Sequence, residues 1–388
     1  MIEQRKEVAL LVEWSRNYGR GVLKGIGHYV QAHGRWNIYH TERKLSDGVP
    51  RWFKNWKGDG IIARIENPRL MQHLQRIGVP TVDLFEPVDS SGFPSILTND
   101  QTVARLAADH LIEQGFKRFA YCGLFGVISS DQRSACFAEY LASKGHEVIV
   151  YDNKRHAGTA FISNSEEFEL RCENVAAWIA SLPRPVGLMA CNDVRAHQIL
   201  MACAGLDIAV PEEVAVIGVD NDEVVCELAW PPLTSIELNP EKVGFEAASL
   251  LDRLMRGVQP PCQPALVEPA CLLPRQSTDI IATTDAEVAA AIHFIRKHAC
   301  DGIQVEDVIK HLSISRSTLE RRFARVLKRS PKREIVNTQL LQVKQLLART
   351  DYSLAHIAKI TGFKYVESMC CVFKRTTGRT PGQYRRSR

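Results

Sequence analysis

The sequence predicts a multidomain protein in which an α/β part, with two lobes of doubly wound parallel sheet, precedes an all-α C-terminal domain with two helix-turn-helix units. Short apolar strands alternate with amphipathic helices up to about residue 275, and only helical periodicity follows. Residues 286–388 hold 21 Lys and Arg against 8 Asp and Glu, leaving 28 against 36 in residues 1–285. We expect domains over 1–275 and 287–388, joined by a linker over 276–286.

The α/β part is predicted from two series of short apolar runs. In the first series, strands are expected over residues 7–13, 36–40, 59–64 and 80–85, with helices at 18–33 and 69–78. In the second, they are expected over residues 119–123, 147–152, 186–191 and 214–220, again with helices between them. Two series indicate two lobes with a cleft between them, and open α/β sheets bind ligands beyond the carboxyl ends of their strands.

Polar side chains follow the predicted strands in a pattern suited to a sugar. Carboxylates, amides and guanidinium groups bind hydroxyls bidentately, because each hydroxyl both donates and accepts. The candidate ligand contacts are Arg16, Tyr18, Arg20, Arg133, Asn192, Asp193, Asp220 and Asn221. Two structural alternatives stay open. Asn192 or Asp193 caps the next helix, which leaves the other as the better ligand candidate, and Arg133 forms a salt bridge.

The C-terminal domain contains a repeated pair of short helices. A helix is expected over 288–302, then two around a tight turn, the second capped by Ser315. A longer helix starts at Pro331, a favoured first-turn residue, and runs to about 349. An offset of 49 to 50 residues aligns the apolar positions of the first pair with a second pair near the C-terminus, including Phe323 with Phe373. Two helix-turn-helix units are therefore expected, each with a helix able to enter a major groove of double-stranded DNA.

The outward faces of these two helices carry the candidate DNA contacts. With Leu319, Phe323 and Val326 inward, Arg321 is the best candidate for bidentate contact with guanine, although phosphate contact is the commoner role of an Arg. Arg322, Lys328 and Arg329 are expected to meet phosphates or water. The candidates are Ser315, Arg316, Ser317, Thr318, Glu320, Arg321 and Arg325 in the first unit, and Tyr365, Glu367, Ser368, Cys371 and Lys374 in the second.

Several function classes find no support in the sequence. Gly19, Gly21 and Gly25 follow the first strand, but Lys24 stands where a dinucleotide fingerprint needs glycine. No nucleotide-binding loop, hydrolase elbow or zinc spacing is present, so we expect no enzyme, metal or cofactor. No run approaches the roughly 20 apolar residues of a membrane span. The 11 cysteines form no CxxC pair, which favours free thiols in the cytoplasm.

Two family resemblances extend these predictions. Residues 7–275, with NDQTVARLAADHLIEQGF, CNDVRAHQIL and VPEEVAVIGVDNDE in order, resemble a LacI-type, periplasmic-binding-protein-like effector domain. Residues 286–388, ending in VFKRTTGRTPGQYR, resemble the AraC/XylS-family DNA-binding domain. LacI-type regulators carry their DNA-binding headpiece at the N-terminus, whereas this chain begins with the first strand.

Together the resemblances imply a transcription activator that responds to D-xylose, a homodimer that binds operator DNA and RNA polymerase. Two alternatives remain. One is a regulator of the same build for another pentose or polyol. The other is a ligand-independent DNA-binding protein whose first domain serves only dimerisation.

Overall fold

The structure, a computed structural model, describes residues 5–34, 36–42, 49–65, 68–85, 92–124, 127–151, 173–261, 263–279 and 285–386. Its contacts divide the chain into two units, Met1–Ile280 and Ile281–Arg388. The predicted linker, 276–286, begins inside the first unit, because Ser277 and Thr278 are fully buried in a 3-10 turn. Its residues 280–284 lie outside the described part of the chain. The predicted fold class is confirmed.

The first lobe is a parallel sheet in the order β2-β1-β3-β4. Its elements are β1 (Lys6–Leu11), α1 (Asn17–His33), β2 (Trp36–His40), β3 (Gly60–Ala63), α2 (Pro68–Ile77) and β4 (Thr81–Asp83). The central strands are covered on both faces, so β3 is buried along its whole length, as its apolar sequence predicts. A separate parallel pair joins β5 (Ile96–Thr98) to β11 (Ala265–Val267).

The second lobe is a six-stranded sheet in the order β12-β10-β9-β8-β6-β7. Its strands are β6 (Phe119–Cys122), β7 (Val148–Val150), β8 (Val186–Ala190), β9 (Val214–Val219), β10 (Thr234–Glu237) and β12 (Cys271–Leu273). The helices of this part of the chain are α3 (Asp100–Glu113), α4 (Ile128–Ser143), α5 (Glu173–Ser181), α6 (Asp193–Gly205), α7 (Glu223–Leu228) and α8 (Pro240–Met255). Strands β10 and β12 were not predicted, and β12 runs antiparallel to β10. The buried Thr234 and Ser235 of β10 are polar, so no apolar run marks that strand, and β12, although apolar, has 3 residues, too few for a periodic signal.

Helices α1 and α8 pack against each other through glycines. A Cβ atom on Gly25 would lie 1.9 Å from the carbonyl oxygen of Glu241. One on Gly244 would lie 2.0 Å from the carbonyl oxygen of Val22. Both positions therefore need glycine because the two backbones touch. Helix packing therefore explains the glycine at position 25, which the dinucleotide fingerprint does not.

The second unit is helical throughout its described part. Its helices are α9 (Ala286–His298), α10 (Val305–Leu312), α11 (Arg316–Leu327), α12 (Pro331–Arg349), α13 (Leu354–Ile360), α14 (Val366–Thr377) and α15 (Pro381–Arg386). The predicted repeat is present: Leu319 of α11 and Met369 of α14 are fully buried, as are Phe323 and Phe373 one turn later. Pro331 occupies the first turn of α12, as predicted.

Candidate functional site

A buried ion pair between Arg133 and Asp100 lies near the carboxyl ends of the strands of the second lobe. Helix α4 places Arg133, whose side chain is 8% exposed, with Nε 2.7 Å from Oδ1 of Asp100 at the start of α3. Its Nη1 donates to the carbonyl of Cys191, directly after β8. Burial opposes the charged form, but the carboxylate of Asp100 and the nearby Asp220 hold the pKa of Arg133 above its usual value. The salt-bridge alternative for Arg133 is therefore realised, and its Nη2 has no hydrogen-bond partner among the described residues.

The loop after β9 presents Asp220 to the cleft. Asp220 and Asn221 both have positive φ, 107° and 46°, a conformation that side chains other than glycine rarely adopt. Burial raises the pKa of Asp220, and the positive charges of Arg133, Arg16 and Arg64 oppose that rise. The positive charges of guanidinium groups from both lobes therefore act on Asp220.

Asn192 and Asp193 have different roles in the structure. The side chain of Asn192 caps α6 by accepting from the backbone N–H of Arg195 at 2.8 Å. Asp193 is 1% exposed, and its carboxylate accepts from Ser235 Oγ at 2.5 Å and from the backbone N–H of Asp222 at 2.7 Å. Burial and the charge of Asp220 raise the pKa of Asp193. In this structure Asp193 fixes the loop that carries Asp220, and a ligand contact by Asp193 stays a prediction.

The first lobe brings two of its three predicted residues towards Asp220. Arg16 occupies the N-cap position of α1, and its charge acts on Asp220. Burial raises the pKa of Tyr18, while a nearby Arg64 and a hydrogen bond with Thr98 oppose the rise. Arg20 is exposed and donates to the carbonyl oxygens of Trp14 and Ser15 at 3.2 Å. Arg20 therefore braces the loop before α1.

Three residues that were not predicted as ligand contacts, Glu13, Arg64 and Phe85, lie near Tyr18 on the first-lobe side of the cleft. Arg64, just after β3, pairs with the buried Glu13, just after β1. Its guanidinium carbon lies 5.2 Å from the ring centre of Tyr18 and 5.0 Å from that of Phe85. Each of these residues lies at a strand end, which is the signal that could have identified them. The patterns instead placed Glu13 and Arg64 inside the predicted strands.

The described cleft therefore combines balanced charge with aromatic surface. Its guanidinium groups face carboxylates rather than each other, which suits an uncharged ligand with many hydroxyls better than an anion. Within the described ranges, no three His, Cys, Asp or Glu side chains are grouped to hold a metal ion. The same residues include no helix that is both long and apolar enough to cross a membrane.

The first helix-turn-helix unit presents a polar face on α11. Ser315 caps the helix by accepting from the N–H of Thr318 at 3.2 Å, as predicted. Ser317, Arg321 and Arg325 are exposed, opposite the buried Leu319 and Phe323. The side chains that are candidates for base contact therefore lie on the face of α11 that points away from the core.

Ion pairs modify the expected roles of three Arg residues on this helix. Arg316 pairs with Glu306 at 2.6 Å and with Glu320 at 3.1 Å. Arg325, a predicted DNA contact, and Arg322, a predicted phosphate or water contact, both bind Asp285, at 2.7 and 2.9 Å. Arg322 is thus held by protein carboxylates. Arg325 is 69% exposed, so it could reach DNA only by sharing or leaving Asp285.

The second unit repeats this design on α14. Met369 and Phe373 are fully buried and Val372 is partly buried, so the inward face is as predicted. The outward candidates, all exposed, are Tyr365, Glu367, Ser368, Cys371 and Lys374. Tyr365 takes the N-cap position without a side-chain cap, and its ring carries Lys364 Nζ at 5.4 Å from the centre.

Three family models match this chain in sequence order. They are a XylR N-terminal domain over residues 7–95, a periplasmic binding protein-like domain over 108–278 and a helix-turn-helix domain over 308–387.

Relatives match over the full length. The chain is 32% identical over 400 residues to a xylose operon regulatory protein of Haemophilus influenzae, covering 99% of each. It is 33% identical over 395 residues to that of Escherichia coli, covering 99% of this chain and 98% of the relative. A solved xylose-binding transcription activator, XylR, superposes with a TM-score of 0.83 at 32% identity, covering 100% of this chain and 99% of that one.

A LacI-type regulator of Alkaliphilus metalliredigens, complexed with D-xylulofuranose, shares the fold over 70% of this chain and 98% of its own, with a TM-score of 0.56 at 20% identity.

Proposed function

We propose that this chain, which belongs to the family of xylose operon regulatory proteins, activates transcription when D-xylose occupies the cleft of residues 1–280. The chain is a DNA-binding transcription regulator by that membership. The sugar and the activating direction are the proposed part. We also propose that it acts in the cytoplasm as a homodimer that contacts RNA polymerase.

The observation that carries the sugar proposal is Asp220 with guanidinium groups around it. The carboxylate can accept from two neighbouring hydroxyls of a pentose, while Arg133 Nη2 and Arg16 donate to hydroxyl oxygens. Asn221 adds an amide to the same loop. Each hydroxyl would thus exchange water for charge-assisted hydrogen bonds, which are roughly twice as strong as neutral ones.

Aromatic surface supports the same ligand class. Tyr18 and Phe85 flank Arg64, so the wall of the first lobe offers apolar surface for the C–H face of a sugar ring. Because Arg16 and Tyr18 belong to the first lobe and Arg133 and Asp220 to the second, one bound sugar would draw on both. Ligand binding then favours the arrangement in which both sets reach it, by its differential affinity for the two states.

The DNA proposal assigns the exposed faces of α11 and α14 to major grooves. Arg321 is the proposed base contact, because it is exposed and no ion pair with a described residue holds it. Ser315, Ser317, Thr318, Glu320 and Arg316 surround it at the start of the helix. On α14, Tyr365, Glu367, Ser368, Cys371 and Lys374 form the corresponding proposed face.

Calorimetry with a panel of pentoses and hexoses tests the sugar proposal. D-xylose should release or absorb heat with the wild type and with Glu223→Gln, which changes an exposed carboxylate in the first turn of α7. Asp220→Asn should lose binding by at least about tenfold, the loss of one charge-assisted hydrogen bond.

Heat from a different sugar alone would replace D-xylose as the effector. No heat from any sugar, with DNA binding intact, would favour the ligand-independent alternative.

A further inference from the structure

The first unit ends in a segment that is built into the sheet of the second lobe. Ser277 Oγ donates to the carbonyl of Val216 in β9 at 2.6 Å and accepts from the backbone N–H of Thr234 in β10 at 2.8 Å. Thr278 Oγ1 lies 2.8 Å from the hydroxyl of Thr234 and 2.8 Å from Nε2 of His110 in α3. Residues 275–278, the exit segment, are thus part of the fold rather than a free tether.

Arg275 connects the exit segment to the loop after β9, which carries Asp220 and Asn221. Its Nη2 donates to Oδ1 of Asn221 at 2.8 Å, and its Nη1 donates to the carbonyl of Leu233 at 2.9 Å. Its backbone N–H donates to Thr234 Oγ1 at 2.8 Å. One guanidinium therefore holds the residue next to Asp220, while the backbone of the same residue fixes the chain that continues towards the DNA-binding unit.

The conformation of Asn221 makes this contact sensitive to the ligand. Asp220 and Asn221 are consecutive residues with positive φ, so the loop is held in a conformation that its own sequence disfavours. The contacts that hold it are Asn221 N–H to Ser235 Oγ at 3.0 Å, Asp222 N–H to Asp193, and the Arg275 hydrogen bond. A ligand that moves Asp220 must move Asn221, and with it the acceptor of Arg275.

We propose that Arg275 is a positioning residue that couples occupancy of the Asp220 loop to the exit segment, and through it to DNA affinity. The proposal rests on the function proposed above. Arg275 contacts Asn221 rather than the sugar, so its loss should uncouple the two binding events more than it weakens either of them.

The test uses the full chain and a duplex that the wild type selects from a random pool with D-xylose present. Fluorescence anisotropy gives the DNA affinity with and without D-xylose, and the ratio measures coupling, which is typically about 5–150-fold in allosteric proteins. Arg275→Gln should bind D-xylose within about threefold of wild type, while its ratio falls to within about twofold of unity. Arg256→Gln is the matched control, because Arg256, directly after α8, is 68% exposed and its ion pair within the described ranges is with Asp252, four residues earlier. This control should keep the ratio.

A sugar-free measurement separates this proposal from the proposed function. By hydrogen exchange, Arg275→Gln should speed exchange of the amides of residues 220–222, and Asn221→Gly should speed exchange of residues 276–279. Asn221→Gly suits this purpose because glycine tolerates the positive φ, so the side-chain amide, with the acceptor of Arg275, is removed without backbone strain. Arg275→Lys repeats the test if Arg275→Gln folds poorly, since one ammonium cannot replace the planar fork.

Retention of the full ratio by Arg275→Gln, or loss of D-xylose binding together with the ratio, would overturn the proposal. Unchanged exchange at 276–279 in Asn221→Gly would do the same. A wild type without any D-xylose response, but with the expected exchange changes, would refute the proposed effector and leave the coupling supported.

Discussion

Replacing Arg133 by Met should destabilise the first unit chiefly by stranding a carboxylate. Asp100 is 7% exposed, and among the described residues its ion pair is with Arg133, whose side chain is 8% exposed. Removing one partner of a buried ion pair costs about 3–5 kcal/mol, because the other charge stays in a poor solvent. Met replaces the aliphatic part of the Arg133 side chain, so the variant removes mainly the guanidinium group, together with its hydrogen bond to the carbonyl of Cys191.

The complementary variant should cost less. Asp100→Asn keeps an acceptor for Arg133, and Asp220 still balances its charge, so we expect about 1–3 kcal/mol. Arg133→Met with Asp100→Asn removes both charges. The double variant should therefore be more stable than the sum of the single losses by at least about 2 kcal/mol.

Intrinsic fluorescence reports this unit alone. All six tryptophans precede residue 281, so urea unfolding followed by tryptophan emission measures the first unit in the full chain. Arg184→Met is the matched control, because the Arg184–Glu213 pair is about one-third exposed. Such a pair contributes about 1 kcal/mol or less. If the two single losses added within about 0.5 kcal/mol, the pair would not be coupled and the reasoning would fail.

Further predictions concern packing, pH and DNA contact. Gly25→Ala should destabilise the first unit by more than about 2 kcal/mol in the same urea assay, because the added Cβ would meet the backbone of α8. Gly27→Ala, with open space around it, should stabilise the unit by up to about 1 kcal/mol. Equal effects of the two substitutions would contradict the packing role of Gly25. Burial raises the pKa of Asp83 from 3.8 to about 7, so wild-type stability should fall by up to about 1.4 kcal/mol per pH unit as pH rises through that interval. Asp83→Asn should make this slope shallower, while the raised pKa values of Asp193 and Asp220 still contribute to it. Parallel pH profiles of the two proteins would refute the prediction. Arg321→Ala should cost about 1–3 kcal/mol on the selected duplex by anisotropy, and Arg325→Ala less on any duplex; an equal Arg321 loss on random DNA would make it a phosphate contact.

Local patterns predicted those parts of the molecule that depend on neighbours in sequence. Continuous apolar runs located β1, β3, β8 and β9, since strands covered on both faces bury mostly apolar side chains. Helical spacing located the buried Leu319 and Phe373 and, with them, the outward faces of both recognition helices.

Pairings between distant residues could not be predicted in this way. Glu13 and Arg64 are 51 residues apart, and Asn221 and Arg275 are 54 apart, so no spacing rule connects them. The capping role of Asn192 was anticipated as an alternative. The hydrogen bond of Asp193 could not be predicted, because its donor, Ser235, lies in β10, which no apolar run marks.

The length of α12 sets the rotation of α14 relative to α11 about the axis of α12. At 19 residues it rises about 28 Å, and one inserted residue would turn everything beyond it by about 100° while advancing it only 1.5 Å. Such an insertion would point α14 away from any groove that α11 shares with it. Seven inserted residues would restore the facing to within about 20° but add about 10 Å, which is close to three base pairs of DNA. Because three base pairs also turn the groove by about 100°, restored facing does not restore register with the duplex, and neither insertion keeps both helices in their grooves.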